Sequence, residues 1–410
     1  MQGKNKVYLR HLTRHIQELI RKRQSALILG PRQTGKTTLV KETLKGLTDT
    51  LQYPLQHPEI RQEMEADPSR LVKQITPHHT NPLVFIDEAQ KAPDIFDGVQ
   101  YLIDGKKAHF IITGSSARKL RRKGVNLLPG RLKTFRLDPL LWSECGWIKG
   151  HSIERLTMEN INEIHGYSFK KSLIFGSLPG IVGLPDDNDR RDILTAYTRI
   201  YLEEEIRAEA LSRKIGAFGR FLQLAARESG TNPNLTKLSW ESGVSAPTIK
   251  EFYRILEDTL VVEKVAPYTK NVRKRILTSP RYYFFDLGVR NALARAPLTD
   301  DLLHVEQGKL FEHAVILEII RRLRVLRQED TVHYWRTSGG AEVDCIIDTG
   351  RGLIPIEIKS GARVSLSDVR GLQSFIQTFK NEVRQAYVVT NGRVPEQLSD
   401  QIMAIPWMYL

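Results

Sequence analysis

The stretch Ala26 to Val40, A-L-I-L-G-P-R-Q-T-G-K-T-T-L-V, decides the fold of the first part of the chain. Ala26 to Leu29 is a short apolar run, the mark of a buried strand. Gly30-Pro31-Arg32-Gln33-Thr34-Gly35-Lys36-Thr37 fits G-x-x-x-x-G-K-[ST] without departure, and Thr38 onward can open a helix. Strand, glycine loop and helix in this order make a phosphate loop. Its glycines let the backbone fold round an anion, with successive N–H groups pointing inward. Lys36 supplies a point charge for the β- and γ-phosphates of ATP, and Thr37 offers a hydroxyl to Mg²⁺.

Working outward, Leu83-Val84-Phe85-Ile86-Asp87-Glu88 reads as a buried parallel strand ending in two carboxylates. Asp87 is expected to hold the Mg²⁺ shell and Glu88 to orient or deprotonate the attacking water. His109 to Ser116 is a third strand with a polar tip, expected beside the strand of Asp87. From that tip Ser115, or else Thr113, can touch the γ-phosphate or the water; a plain helix cap explains Ser115 equally well. A basic helix over Ala117 to Lys123 and a strand over Leu132 to Leu137 follow. Arg131 is the first choice for an arginine finger reaching a neighbouring subunit's nucleotide, with Arg118 and Arg122 as rivals.

G-P-R-Q-T-G-K-T-T-L, L-V-F-I-D-E-A-Q-K and I-I-T-G-S-S-A, in this order, resemble the prokaryotic AAA-type ATPases of the AAA_14 group. The later chain resembles their usual C-terminal partner, the DUF4143 region. The resemblance implies an AAA+-like core, ATP binding and a homo-oligomer. Gly176-Ser177-Leu178-Pro179 departs from the family's Gly-Gly-aromatic-Pro.

The chain has 410 residues, 41% hydrophobic and 26% charged, enough for several domains with real cores. No apolar run is long enough to cross a bilayer, so no membrane partner is expected. The start of the chain lacks a secretory apolar region, and Cys145 and Cys345 alone build no disulfide framework. A prokaryotic cytoplasm is the expected setting. The net charge of +14 favours a polyanionic partner, DNA above all. Its clusters are Arg118 to Lys123, Lys270 to Arg275 and Arg321 to Arg327.

Pro139 to Ile206 reads as mostly helical, opened by Leu140, Leu141 and Trp142, and serves as a lid or connector. Its Glu203 to Glu205 run suits a solvated face. Next come helices over Ala217 to Glu228, Leu235 to Ser242 and Ala246 to Glu257. Strands over Leu260 to Val265 and Arg281 to Phe285 complete a winged helix-turn-helix pattern. Lys250 and Arg254 lie one turn apart on its recognition helix, and Lys270 to Arg275 fall in the wing. Two uses stand open: binding duplex DNA, or contact between domains or subunits.

Near the end, Glu342 to Asp348 and Leu353 to Lys359 flank a glycine turn and predict a hairpin. With Gly350-Arg351 as its loop, Asp348 pairs with Leu353, Asp344 with Glu357 and Glu342 with Lys359. Three carboxylates and a lysine then share one face. Like charges so placed are costly unless a cation offsets them, and hard oxygen ligands suit Mg²⁺ or Mn²⁺. The pattern D-x12-E-x-K resembles the PD-(D/E)XK nuclease signature, here with Ala341 where that signature carries a proline. The resemblance implies that Asp344 and Glu357 bind metal, with Glu312 from the preceding helix completing or supporting the shell. Lys359 would position the water that attacks a phosphodiester, and Gln373 would assist. Solvated hairpin charges, or a nuclease fold that only binds, are the competing readings.

The expected whole is α/β. It has a P-loop AAA+-like parallel-sheet core (1–138), a helical lid (139–206), a winged helix-turn-helix (207–290) and a restriction-endonuclease-like α/β domain (291–410). The leading function is an ATP-dependent enzyme that processes DNA. The competing function is a nucleotide-gated regulator or sensor that cleaves nothing.

Overall fold

The computed structural model describes residues 7–78, 80–115, 128–148, 158–162, 164–208, 215–270 and 279–410, with the side chains of 201–208 and 215 left undescribed. Arg118, Arg122 and most of the Lys270 to Arg275 cluster fall outside what is described, as do the side chains of Glu203 to Glu205. The chain divides into two compact units. One runs to Pro139 and takes in Ile255–Val261; the other takes Leu140–Arg254 and Val262–Leu410.

The first unit is built on five parallel strands: β1 (Ser25–Leu29), β2 (Thr50–Pro54), β3 (Leu83–Asp87), β4 (His109–Gly114) and β5 (Leu132–Arg136). Their order is β2-β3-β4-β1-β5, and β4 stands beside β3 as the sequence predicts. The central strands β1, β3 and β4 are buried on both faces, which explains why they are largely apolar, while the edge strands β2 and β5 carry polar residues. Leu27, Leu29, Val84, Ile86, Phe110 and Ile112 fill the core on one face. Ala26, Ile28, Leu83, Phe85 and Ile111 fill the core on the other, with Leu12, Ile16 and Leu19 of α1 (Leu12–Arg21). Helix α2 (Lys36–Leu44) leaves directly from the glycine loop. All strands point the same way, so their C-terminal ends gather at one edge of the sheet.

The second unit does not begin as a helix. Leu140 to Gly146 form a buried turn instead. Carboxylates from the turn and from a distant helix take its first backbone donors. Leu141 N–H donates to Glu144 (3.1 Å) and Trp142 N–H to Glu318 (3.2 Å). Helices follow at Phe169–Phe175, Pro179–Val182 and Asp187–Ala208. Gly176 has φ +78°, and a Cβ there would lie 2.0 Å from Asp286 Oδ1. Asp286 caps the helix Leu287–Leu293 and also accepts from Ser177 N–H at 2.7 Å. The Gly-Ser-Leu-Pro segment is therefore a buried fastener within this unit.

Helices Ile215–Arg227, Leu235–Ser242 and Ala246–Asp258 come next. Asn234 caps the second, and Gly243 at φ +73° turns the chain into the third. Strands β6 (Val262–Pro267) and β7 (Arg281–Phe284) pair antiparallel. They continue into a larger sheet, because β6 also pairs with β8 (Thr331–Arg336) through Ala266 and Pro267. That sheet runs β12-β13-β11-β10-β9-β8-β6-β7. It contains β9 (Glu342–Asp348), β10 (Leu353–Lys359), β11 (Ala386–Thr390), β12 (Glu396–Ser399) and β13 (Ile402–Pro406). The helices Asp301–Val325 and Arg370–Thr378 also belong to this part of the chain. Of the anticipated β9–β10 pairs, the ladder carries Leu353 with Asp348 and runs to Ile356 with Cys345; it stops short of Asp344 with Glu357 and of Glu342 with Lys359.

Candidate functional sites

In the first unit, the expected phosphate loop joins β1 to α2. Gly30 has no room for a side chain: a Cβ would sit 2.3 Å from the Leu137 carbonyl oxygen. Gly35 at φ +89° and Gln33 at φ +63° turn the backbone through the left-handed region. Thr34 donates its hydroxyl to Pro31 O at 2.9 Å and closes the loop on itself. Lys36 is buried, its Nζ on the carbonyls of Gly30 (2.9 Å) and Pro31 (3.0 Å). Burial lowers its pKa to about 8, although Glu88 and Asp87 pull it up; Arg32 pushes the same way as burial. Thr38 continues α2.

Asp87 and Glu88 meet this loop. Thr37 Oγ1 donates to both Asp87 oxygens at 2.9 Å, and Thr113 Oγ1 to Oδ1 at 2.5 Å. A buried carboxylate ringed by hydroxyls is a hard-oxygen set, and it suits Mg²⁺. Glu88 sits at φ +59°, a strained value for its type, held by its N–H on Thr113 Oγ1 at 3.1 Å. Gln90 Nε2 reaches Glu88 Oε2 at 2.6 Å and Ser115 Oγ at 2.9 Å. Asp87, Glu88, Thr113 and Ser115 are thus gathered at the loop end of the sheet.

Arg131 is not among them. It immediately precedes β5, whose first residue Leu132 pairs with Ser25, at the far end of the sheet from Gly30. Its guanidinium grips Asp104 at 2.6 and 3.0 Å.

Two residues here escaped the sequence reading. Gln90 falls inside the quoted L-V-F-I-D-E-A-Q-K stretch, but no role was read for it there. Buried Arg10, just ahead of α1, donates to Thr34 O (2.9 Å) and Asp138 O (2.7 Å), pinning the phosphate loop from behind.

In the second unit, β9, β10 and the helix Asp301–Val325 supply the acidic cluster. Paired strands end at Cys345 and Ile356, where Asp344 Oδ2 takes the Ile358 N–H at 2.9 Å. Lys359 Nζ bonds Glu357 Oε1 at 2.8 Å. Glu357 Oε2 is buried with no hydrogen-bond partner. Burial raises the Glu357 carboxyl to about 7, and the Asp344 charge adds to that; burial raises Asp344 too. Glu312 is pushed up to about 8 by burial first, then by Asp344. Its Oε1 accepts from Tyr283 OH at 3.1 Å and lies 3.7 Å from Arg281. Arg281 also pairs with Glu342 and lies over the Tyr334 ring at 4.5 Å.

Arg281 and Tyr283, both from β7, were not foreseen. Arg281 pairs with Glu342 and lies near Glu312, and its charge also reaches Asp344, while Lys359 bonds Glu357. Among the described residues no group of three His, Cys, Asp or Glu converges to cage a metal ion. Mg²⁺ can be held by one or two carboxylates with waters, so Asp344 and the unpartnered Glu357 Oε2 fit it; Glu312, tied to Arg281 and Tyr283, fits a supporting place. Gln373 lies on Arg370–Thr378, whose Gly371 abuts the Glu342 backbone.

Comparison with known proteins assigns the segments. Residues 22–146 match the AAA_14 model, described as an AAA domain. Residues 166–300 match a domain of unknown function, DUF8612, which the sequence reading did not anticipate. Residues 307–410 match another, DUF4143. The chain is 25% identical over 382 residues to the uncharacterized protein Mb2031c of Mycobacterium bovis, covering 93% of this chain and 79% of the relative. The same figures hold for the uncharacterized protein Rv2008c of Mycobacterium tuberculosis. A solved structure, the Walker-type ATPase paby2304 of Pyrococcus abyssi, is similar at 14% identity and a TM-score of 0.47, over 72% of this chain and 98% of that one. Among the described residues no helix is long and apolar enough to cross a membrane. The first segment is therefore an AAA-type, P-loop ATPase-like domain, with a DUF4143 region at the other end of the chain.

Proposed function

We propose that this chain binds and hydrolyses ATP in its first unit and uses the cycle to control a nucleic-acid-handling second unit. The observation that carries the first half is the bond from Thr37 to Asp87, 2.9 Å long, which joins loop and acidic strand. Lys36 would take the β- and γ-phosphates, and Thr37 with Asp87 would hold Mg²⁺, which neutralises phosphate charge. Glu88 would orient the attacking water, with Ser115 at the terminal phosphate. Lys36→Ala should abolish nucleotide turnover; turnover that survives it refutes the assignment. In a homo-oligomer, Arg131 could serve as a finger in trans only by leaving Asp104.

For the second unit the proposal is DNA binding by the helix Ala246–Asp258, where Lys250 and Arg254 are exposed. Phosphodiester cleavage would occur at Asp344, Glu357 and Lys359, in a restriction-endonuclease-like setting. A divalent cation there would supply charge neutralisation at the scissile phosphate, and Lys359 would hold the attacking water. The unpartnered Glu357 Oε2 is the observation that supports a cation. A second reading, binding without cleavage, rests on Arg281 already pairing with Glu342 and lying 3.7 Å from Glu312. Mg²⁺-dependent nicking of plasmid that is lost in Glu357→Ala supports cleavage; gel retardation without nicking supports the second reading. A cytoplasmic setting belongs to the same proposal.

A further inference from the structure

The geometry points to Gln90 as the positioning residue that couples Ser115 to Glu88 in the ATPase site, an inference that rests on the ATPase reading above. Glu88 stands just past the end of β3 and Ser115 just past the end of β4. The adjacent strands therefore bring both to one edge of the sheet. Neither bonds directly to the other; the Gln90 amide bridges them. Its Nε2 donates to Glu88 Oε2 at 2.6 Å and to Ser115 Oγ at 2.9 Å, and its Oε1 accepts from Ser115 N–H at 3.4 Å.

The amide has two donor hydrogens, so it can serve both oxygens at once. The bond to Glu88 is charge-assisted and short, the stronger of the two. It matters because the Glu88 backbone is at φ +59°, in a region where few residues of its type settle. Backbone and side chain are both held from outside: Thr113 Oγ1 fixes the N–H, and Gln90 fixes one carboxylate oxygen. With Oε2 engaged by Gln90, Oε1 is the oxygen left for an attacking water to use. Because Ser115 holds the other end of the amide, any displacement of Ser115 by a terminal phosphate is transmitted to the carboxylate. Gln90 touches neither phosphate nor water in this account. It acts through Glu88, and a misplacement of about 1 Å at such a group costs roughly 100-fold in rate.

Phosphate release by the full chain, with ATP affinity measured in parallel, tests this on Gln90→Ala and Gln90→Glu. Gln90→Glu keeps the length and volume but removes the donor and sets a carboxylate against Glu88. Both variants should lose about 10- to 100-fold in kcat while KM and nucleotide affinity stay within about twofold. Ser115→Ala combined with Gln90→Ala should cost less than the product of the single losses, since both break one link. Wild-type kcat in Gln90→Glu, or affinity and melting temperature falling along with kcat in both variants, overturns the coupling. If the wild-type chain itself releases no phosphate, the ATPase reading falls and takes this inference with it. If the wild type turns over and Gln90→Glu keeps pace, only the coupling falls.

Discussion

Lys36 is a cation that its own burial works against, and this gives the nucleotide pocket a pH dependence. Its amine is lowered to about 8, so in the free protein it loses its proton as pH rises past that value. Phosphate binding needs the ammonium. Nucleotide affinity should therefore be flat below pH 8 and weaken by up to about tenfold per unit above it. Titration calorimetry from pH 7 to 9.5 measures this, and Lys36→Met should remove the slope along with most of the affinity. Glu357 behaves in the opposite sense. Its carboxyl is raised from 4.5 to about 7, so between those values the folded chain keeps a proton that the unfolded chain has released. Stability then falls as pH rises through that window. Glu357→Gln should flatten the decline in thermal unfolding; a decline as steep as in the wild type would refute the burial of that charge.

At the scale of elements, tight backbone contacts say which glycines the fold demands. Gly176 at φ +78° lies against Asp286, and Gly288 has room for no side chain, with Phe175 O 2.1 Å from where its Cβ would be. Gly176→Ala should cost more than about 2 kcal/mol, read by denaturant unfolding, because strain and a buried carboxylate contact are both disturbed. The parallel core was legible in the sequence because its central strands, β1, β3 and β4, are buried on both faces and written as largely apolar runs; the edge strands β2 and β5 carry polar, exposed positions. The β9–β10 register was legible because a glycine turn leaves little choice. The turn at Leu140 to Gly146 was not, since its backbone donors go to Glu144 and, far along the chain, Glu318. Arg281 and Tyr283 escaped for the same reason: β7 is distant in sequence from Glu312 and Glu342. Gln90 was in plain view, but only the adjacency of β3 and β4 gives its amide two partners.

Over the whole molecule, the proposed function sets two chemically distinct centres, one in each compact unit. The basic balance of the chain, +14, should show itself in the salt dependence of DNA binding. Replacing Lys250 and Arg254 by Ala should weaken retention of duplex DNA roughly tenfold and make the salt slope shallower; unchanged binding would leave the helix Ala246–Asp258 to contacts within or between proteins. None of this matters unless the first unit turns over nucleotide. Phosphate release by Glu88→Gln, set beside its ATP affinity, is the most direct measurement. The account predicts wild-type turnover, an ATP affinity unchanged in the variant, and a rate at least about 100-fold lower. Equal rates in the two proteins, or no phosphate release by either, would contradict it.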